Sequence, residues 1–463
     1  MPRSSRPLSD GFCRFVPFVA LLGALLASPA ESRVVAKHTA EMAGLERAWF
    51  TQAALDPATQ ETVGAQLSGD SLYVLTSAGV LQAFDAETGA TRWSTRLGSG
   101  GSTVVLGPTV SRVTVKDADG ADTTLVRCAV TIGSTLHVLR EVERGVESEM
   151  AIEASGSPAS APVLGDDYVY VPAVSGRLLA YPLNQERGVP YIIASPGQLE
   201  ASPVVGDGRV IWSTVRGEIY AAPVGKGGAI YRFEAGEPLA ASPMLVDGML
   251  YVAGVDGVIH ALEADRGRPA WRATVGGSVH KPIVVAGGVA FIQTAAPAIW
   301  AYDAATGEHL WTVEGLSDFV SATDKRVYTV TPDGAVGVLD VATGRPVASW
   351  PAVGALTPIA NTQNDRLYFV SAEGLIQCFH EAGLASPWRH DGAAEPNDEV
   401  PPAADEPVTT TDEPADFVEG PADEPAEEPA DAEPAGNPFD PFAPAGGGDD
   451  APADTDDPFA DFE

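Results

Sequence analysis

A unit of about forty residues met eight times, two alternating apolar runs joined by a glycine turn inside each unit, and a lone strand-like segment ahead of the first unit together predict an all-β chain. The architecture they predict is an eight-bladed β-propeller of four-stranded antiparallel blades, closed by an N-terminal strand.

The repeat is plainest in LYVLTSAGVLQAFDAETGATRW ending at Trp93, LYVAGVDGVIHALEADRGRPAW ending at Trp271 and AFIQTAAPAIWAYDAATGEHLW ending at Trp311. VYTVTPDGAVGVLDVATGRPVASW ends at Trp350 and LYFVSAEGLIQCF at Phe379. Each reads as strand, tight turn, strand, Asp-x-x-Thr-Gly type turn and a further strand. The first turns fall at Gly79, Gly133, Gly176, Gly217, Gly257, Pro297, Gly334 and Gly374, and the last five steps are 41, 40, 40, 37 and 40 residues. A fourth strand precedes each unit, starting at a proline such as Pro162, Pro203, Pro243, Pro282 or Pro358, where a missing ladder hydrogen bond is tolerated. The last unit runs out near Trp388 without an outer strand, whereas LERAWFTQ, residues 45 to 52, stands before the first unit with a Trp of its own. Residues 48 to 51 are therefore expected to pair with the strand containing Gln377, hiding the edges that an open array would expose.

Four segments follow: a signal peptide over 1–30, a linker over 31–44, the propeller over 45–390 and a disordered acidic Pro/Ala-rich tail over 391–463. Arg3, Arg6 and Arg14 precede an apolar run of 13 residues from Phe15 to Ala27, then Ser28-Pro29-Ala30. That layout is a secretory leader, shorter than the about 20 residues of a membrane-spanning helix. No cysteine follows the apolar run at the cleavage region, so lipid attachment there is not indicated. Cys128 and Cys378 lie far apart without companion ligands, which suggests neither a disulfide framework nor a zinc site. The tail holds 24 of the 63 acidic residues and no Lys or Arg, and such a composition cannot offset its ordering entropy. A formal net charge of −35 leaves no basic patch for nucleic acid.

The spacing Ala83, Asp85, Thr88, Gly89, Trp93, met again as Ala301, Asp303, Thr306, Gly307, Trp311, resembles the blade signature of the PQQ-like propellers. Weaker copies run from Ala261 to Trp271 and from Asp340 through Gly344 to Trp350. The resemblance implies that these residues are architectural, with Thr-Gly making a turn and Trp docking between blades. It also implies one of two functions. Quinoprotein dehydrogenases of this fold bind pyrroloquinoline quinone with calcium on the axis, whereas the BamB-like branch is non-enzymatic and holds protein partners. The sequence has no vicinal cysteine pair, no Cys-x-x-Cys-His and little extra sequence for a lid, so it is nearer in character to the second branch.

Candidate binding residues lie where first turns and inner-strand entries share one face. Most blades place small residues before the inner-strand proline, as in Ala201-Ser202 and Ala241-Ser242, but the sixth places His280-Lys281. A histidine and a lysine there suit an anionic ligand or a partner carboxylate. Arg216, Asp256, Asp333 and Glu373 flank turn glycines on the same face and would form a polar rim for a partner. Asp117, Asp119 and Asp122 in KDADGAD have the oxygen chemistry of a calcium loop without the distal glutamate, and an exposed turn is the plainer reading. Phe439, Phe442, Phe459 and Phe462 punctuate the acidic tail as a docking motif would. The histidines are scattered and no nucleophile elbow or zinc-protease helix is present.

The expected function is an exported, non-enzymatic scaffold of a bacterial envelope, in the periplasm, envelope or extracellular space, holding other envelope proteins through one propeller face. No cofactor is expected, and no transmembrane segment after loss of the leader; peripheral membrane association is compatible with this. The alternatives are a PQQ-dependent sugar or alcohol dehydrogenase, with calcium, and a small-ligand or carbohydrate-binding propeller.

Overall fold

The computed structural model describes residues 34–98, 104–116, 122–184, 188–351, 356–384 and 386–390. Within them 32 strands form eight four-stranded antiparallel sheets, the eight-bladed propeller that the repeat predicts. The leader and the acidic tail with its phenylalanines lie outside the described residues.

Blades 1 to 7 are built from consecutive strands, the first innermost and the fourth outermost. Blade 8 takes its inner three strands from Leu356–Ile359, Leu367–Ser371 and Leu375–Glu381, and its outer strand from Leu45–Gln52. The closing register sets Trp49 against Cys378, Phe50 against Gln377 and Thr51 against Ile376, as expected from the orphan segment. Residues ahead of this strand are also tied down. The Val35 N–H donates to Gln377 Oε1 at 2.8 Å, and Val35, Ala40 and Ala43 are buried between blades 7 and 8. Pro358 lies inside its inner strand, opposite Phe369, instead of at the strand's start. The position is tolerated because an inner strand is an edge.

Each blade is too thin to have a core of its own, so both faces of its sheet are covered by neighbours. The buried clusters accordingly sit at the seams. At three seams an outer-strand indole lies on the Asp-x-x-Thr-Gly turn of the next blade. Trp49 Nε1 donates to Ala86 O at 3.0 Å, Trp271 to Ala304 O at 2.9 Å and Trp311 to Val341 O at 2.7 Å. The turns are held by their own aspartates: Asp85 Oδ1 accepts from Thr88 N and Thr88 Oγ1, and Asp303 and Asp340 do the same for Thr306 and Thr343. These hydrogen bonds hold the Asp303 and Asp340 carboxyls below their ordinary value. Glycine is required in the turn twice over. Gly89, Gly307 and Gly344 have φ of 72°, 73° and 67°, and a Cβ there would come within 2.4, 2.5 and 2.7 Å of the docked indole.

Other seams use substitutes. Blade 2 has no such turn, and Trp93 Nε1 donates instead to Glu141 Oε1 at 2.9 Å. Asp70, in the inner hairpin of blade 1, accepts from Arg92 and from Arg112 of blade 2, each at 2.8 Å. Burial pushes the Asp70 carboxyl up, but these two guanidinium groups outweigh it and leave the group below its ordinary 3.8. Between blades 3 and 4, Tyr191 replaces the indole, its hydroxyl accepting from Gly225 N at 3.0 Å and contacting Tyr170 Oη at 3.1 Å. Nearer the axis, side-chain amides link blades: Gln66 Oε1 accepts from Val110 N at 3.0 Å, and Gln363 exchanges hydrogen bonds with Gly69 N and Leu67 O at 3.0 and 3.3 Å.

Replacing Trp311, 5% exposed, with Ala should lower the unfolding free energy by about 3–5 kcal/mol in urea titration, the range for removing a buried large aromatic. A carboxyl whose folded pKa is depressed stabilises the fold above its unfolded pKa, a contribution lost as pH falls through the folded value. Asp70→Asn should therefore show a shallower loss of thermal midpoint than the parent as pH drops below 3.8, and an unchanged slope would contradict the Asp70 linkage.

Candidate functional site

Because successive strands of a blade run antiparallel, the turns between second and third strands and the connections from outer to inner strands emerge on one face of the disc. The turns bearing Arg216, Asp256, Asp333 and Glu373 belong to blades 4, 5, 7 and 8, and His280-Lys281 enters the inner strand of blade 6. All six therefore lie on this face, spread over five blades.

Several of their side chains are engaged locally. Lys281 Nζ forms an ion pair with Asp318 of blade 7 and donates to Ser317 O at 3.2 Å. His280 Nε2 lies 3.2 Å from Ser278 Oγ. Asp256 Oδ1 accepts from Val258 N at 3.1 Å, Asp333 accepts from Thr331 Oγ1, and the stem of Arg216 lies over Gly197. Glu373 is half-buried, and its carbonyl accepts from Gln52 Nε2 at 2.6 Å. It lines a shallow depression of about 330 Å³ with Glu61 and the 57–60 loop, the connection from the closing strand into blade 1. The six are spread over five blades. They form a broad charged rim instead of a focused pocket.

On the opposite face, the inner hairpin of blade 2 is elongated, Val105–Lys116 pairing with Asp122–Ile132 out to Lys116 against Asp122. Asp122 is engaged by Lys116 Nζ at 2.7 Å, and Asp117 and Asp119 lie outside the described residues. Cys128 and Cys378 are both buried free thiols whose pKa burial raises.

The axis holds a cavity of about 540 Å³ between the inner strands of blades 1, 5, 6 and 8. Its hydrogen-bonding side chains, among them Thr62, Gln66, Thr357 and Thr362, all come from blades 1 and 8, while blades 5 and 6 give aliphatic ones such as Met244 and Ile283. Among the described residues lining it none is charged or aromatic. Calcium takes six to eight oxygen ligands with carboxylates prominent among them, and a tricarboxylate quinone needs cationic partners and a stacking surface. Nor do the described residues hold a group of three or more His, Cys, Asp or Glu that could bind a metal. The channel residues do not fit the quinone and calcium pair.

The glycines and blade tryptophans were readable from spacing. The channel lining was not, because Thr, Gln and Met carry no motif and meet only when the ring closes.

A family profile described as outer membrane protein assembly factor BamB matches residues 39–232 and 207–413. The crystal structure of BamB from Moraxella catarrhalis superposes with a TM-score of 0.55 at 20% identity, covering 73% of this chain and 98% of that one. The computationally designed Ika8 protein superposes with a TM-score of 0.52 at 13% identity, covering 69% and 96%. At these identities the two structures speak for the fold alone. No curated protein is a significant sequence match.

Lys281 and Asp318 are 49% and 29% exposed, so their ion pair should add little to stability. Lys281→Ala is expected to change the unfolding free energy by less than about 1 kcal/mol in urea titration, which frees the position for binding tests.

Proposed function

The chain belongs to the family described as outer membrane protein assembly factor BamB, and on that footing we propose that it is a non-enzymatic binding scaffold of the bacterial envelope. It is exported by its N-terminal leader to the periplasm or beyond and holds other envelope proteins on the charged face of the disc. The observation that carries this reading is the family match across most of the propeller. The geometry supports it: charged groups are spread over five blades on one face, as suits a broad protein interface, and the described residues lining the axial cavity include no charged or aromatic side chain. Among the described residues no helix is long and apolar enough to cross a membrane. The acidic tail is a second docking element, with Phe439, Phe442, Phe459 and Phe462 as its anchors.

Capture from an envelope fraction tests both elements. The mature protein and a version ending at His390 should retain a shared set of proteins, with tail-docked partners lost from the shorter one. Rim substitutions Arg216→Ala, His280→Ala and Lys281→Ala combined should cut retention of the shared set by about tenfold, chiefly through slower association. Full retention by this variant would remove the rim from the interface. Added pyrroloquinoline quinone is expected to leave tryptophan fluorescence unquenched with or without calcium, and tight calcium-dependent quenching would revive the dehydrogenase alternative.

A further inference from the structure

The axial cavity is chemically unlike the surface around it. The chain carries a net charge of −35, and the rim has acidic and basic groups on five blades, yet the described residues lining this space are uncharged. A charged ligand entering it would lose hydration without gaining a partner, which is costly. No aromatic side chain is among them, so a sugar ring would find no stacking platform. The two sides differ in kind. Thr62, Gln66, Thr357 and Thr362 place hydroxyl and amide groups on blades 1 and 8, beside the exposed Val63, while the accessible side chains from blades 5 and 6 are the apolar Met244 and Pro282. The inner strands are also sheet edges, with backbone groups that have no ladder partner on the axial side. The inner strand of blade 1, Thr62–Ser68, runs seven residues along this wall, roughly 23 Å at about 3.3 Å per residue.

From this combination we infer that the channel is a binding site for an uncharged, extended peptide segment of a partner protein. One edge of the segment meets the Thr and Gln wall and its aliphatic side chains lie on the Met244 and Pro282 wall. A strand has both properties at once, because backbone donors and acceptors line its edges while side chains stand off its faces. The volume of about 540 Å³ is in the range that encloses a short ligand instead of a whole domain. Neutrality of the walls selects against Asp, Glu, Lys and Arg in the inserted stretch. The cavity lining shares no residue with the rim, so the rim substitutions above and the channel substitution below can fail independently.

The test uses the full mature chain and an immobilised array of blocked octapeptides: uncharged sequences alternating Leu or Val with Ser or Asn, the same sequences with Glu or Lys at alternate positions, and neutral oligosaccharides. Uncharged peptides should be retained at least tenfold more strongly than charged counterparts or oligosaccharides. Thr357→Glu, at an exposed position of the channel wall, should reduce that retention at least tenfold with an unchanged thermal midpoint. Thr357→Ser should keep it. No retention of uncharged peptides, equal retention of charged ones, preference for an oligosaccharide, or retention unaffected by Thr357→Glu would each overturn the inference.

Discussion

An aromatic ring from the outer strand of one blade, seated on a turn glycine of the next, is the contact on which the ring depends. A four-stranded sheet has two faces and no core, so it must be covered from both sides, and the contact that sets the spacing of one blade from the next decides whether eight sheets meet in a closed circle. The indole is suited to this because it buries a large apolar surface while its one N–H finds a backbone carbonyl. Trp49, Trp271 and Trp311 donate to the residue that follows the turn aspartate in the next blade, Ala86, Ala304 and Val341. The aspartate, threonine and glycine of the turn form the seat, and any side chain in place of the glycine would occupy the space of the ring.

The closing seam carries more than this contact. Arg366 and Asp365 of blade 8 are almost fully buried, and Arg366 reaches Glu87 of the blade 1 turn at 3.1 Å. Asp365 Oδ1 accepts from Trp388 N at 2.9 Å, which fastens the end of the described chain beneath blade 8. Burial raises the Asp365 carboxyl, only partly countered by Arg366 and by the Trp388 N–H. A buried ion pair of this kind adds little net stability over an apolar substitute, but removal of one partner strands the other. The network joins blade 8 to the turn of blade 1.

Charge and neutrality are sorted by position along the blades. Turns and connections face water and carry the charged groups of the rim. The inner strands face the axis, and their seams are linked by carboxamides such as Gln66 and Gln363, which satisfy backbone groups of a neighbour without bringing a charge into the centre. The disc therefore offers two surfaces of opposite character, a charged face suited to broad contacts and a neutral channel suited to a narrow one.

Most of the fold was legible in the chain because the blades repeat alternating apolar strands and a turn near every fortieth residue, three of them add Asp-x-x-Thr-Gly before Trp, and an orphan LERAWFTQ fits only a blade short of one strand. These are properties of neighbours in sequence, and a linear reading captures them. The six rim residues could also be assigned to one face, since strand alternation settles on which side a turn emerges. Tertiary structure alone decided what those residues touch, as with Lys281 on Asp318, because such a partner comes from a different blade. It alone placed Arg366 against Glu87, 279 residues away, and brought Thr62, Thr357, Met244 and Ile283 around one space. None of these belongs to a motif, and their meeting follows from ring closure, which joins positions that the chain keeps far apart.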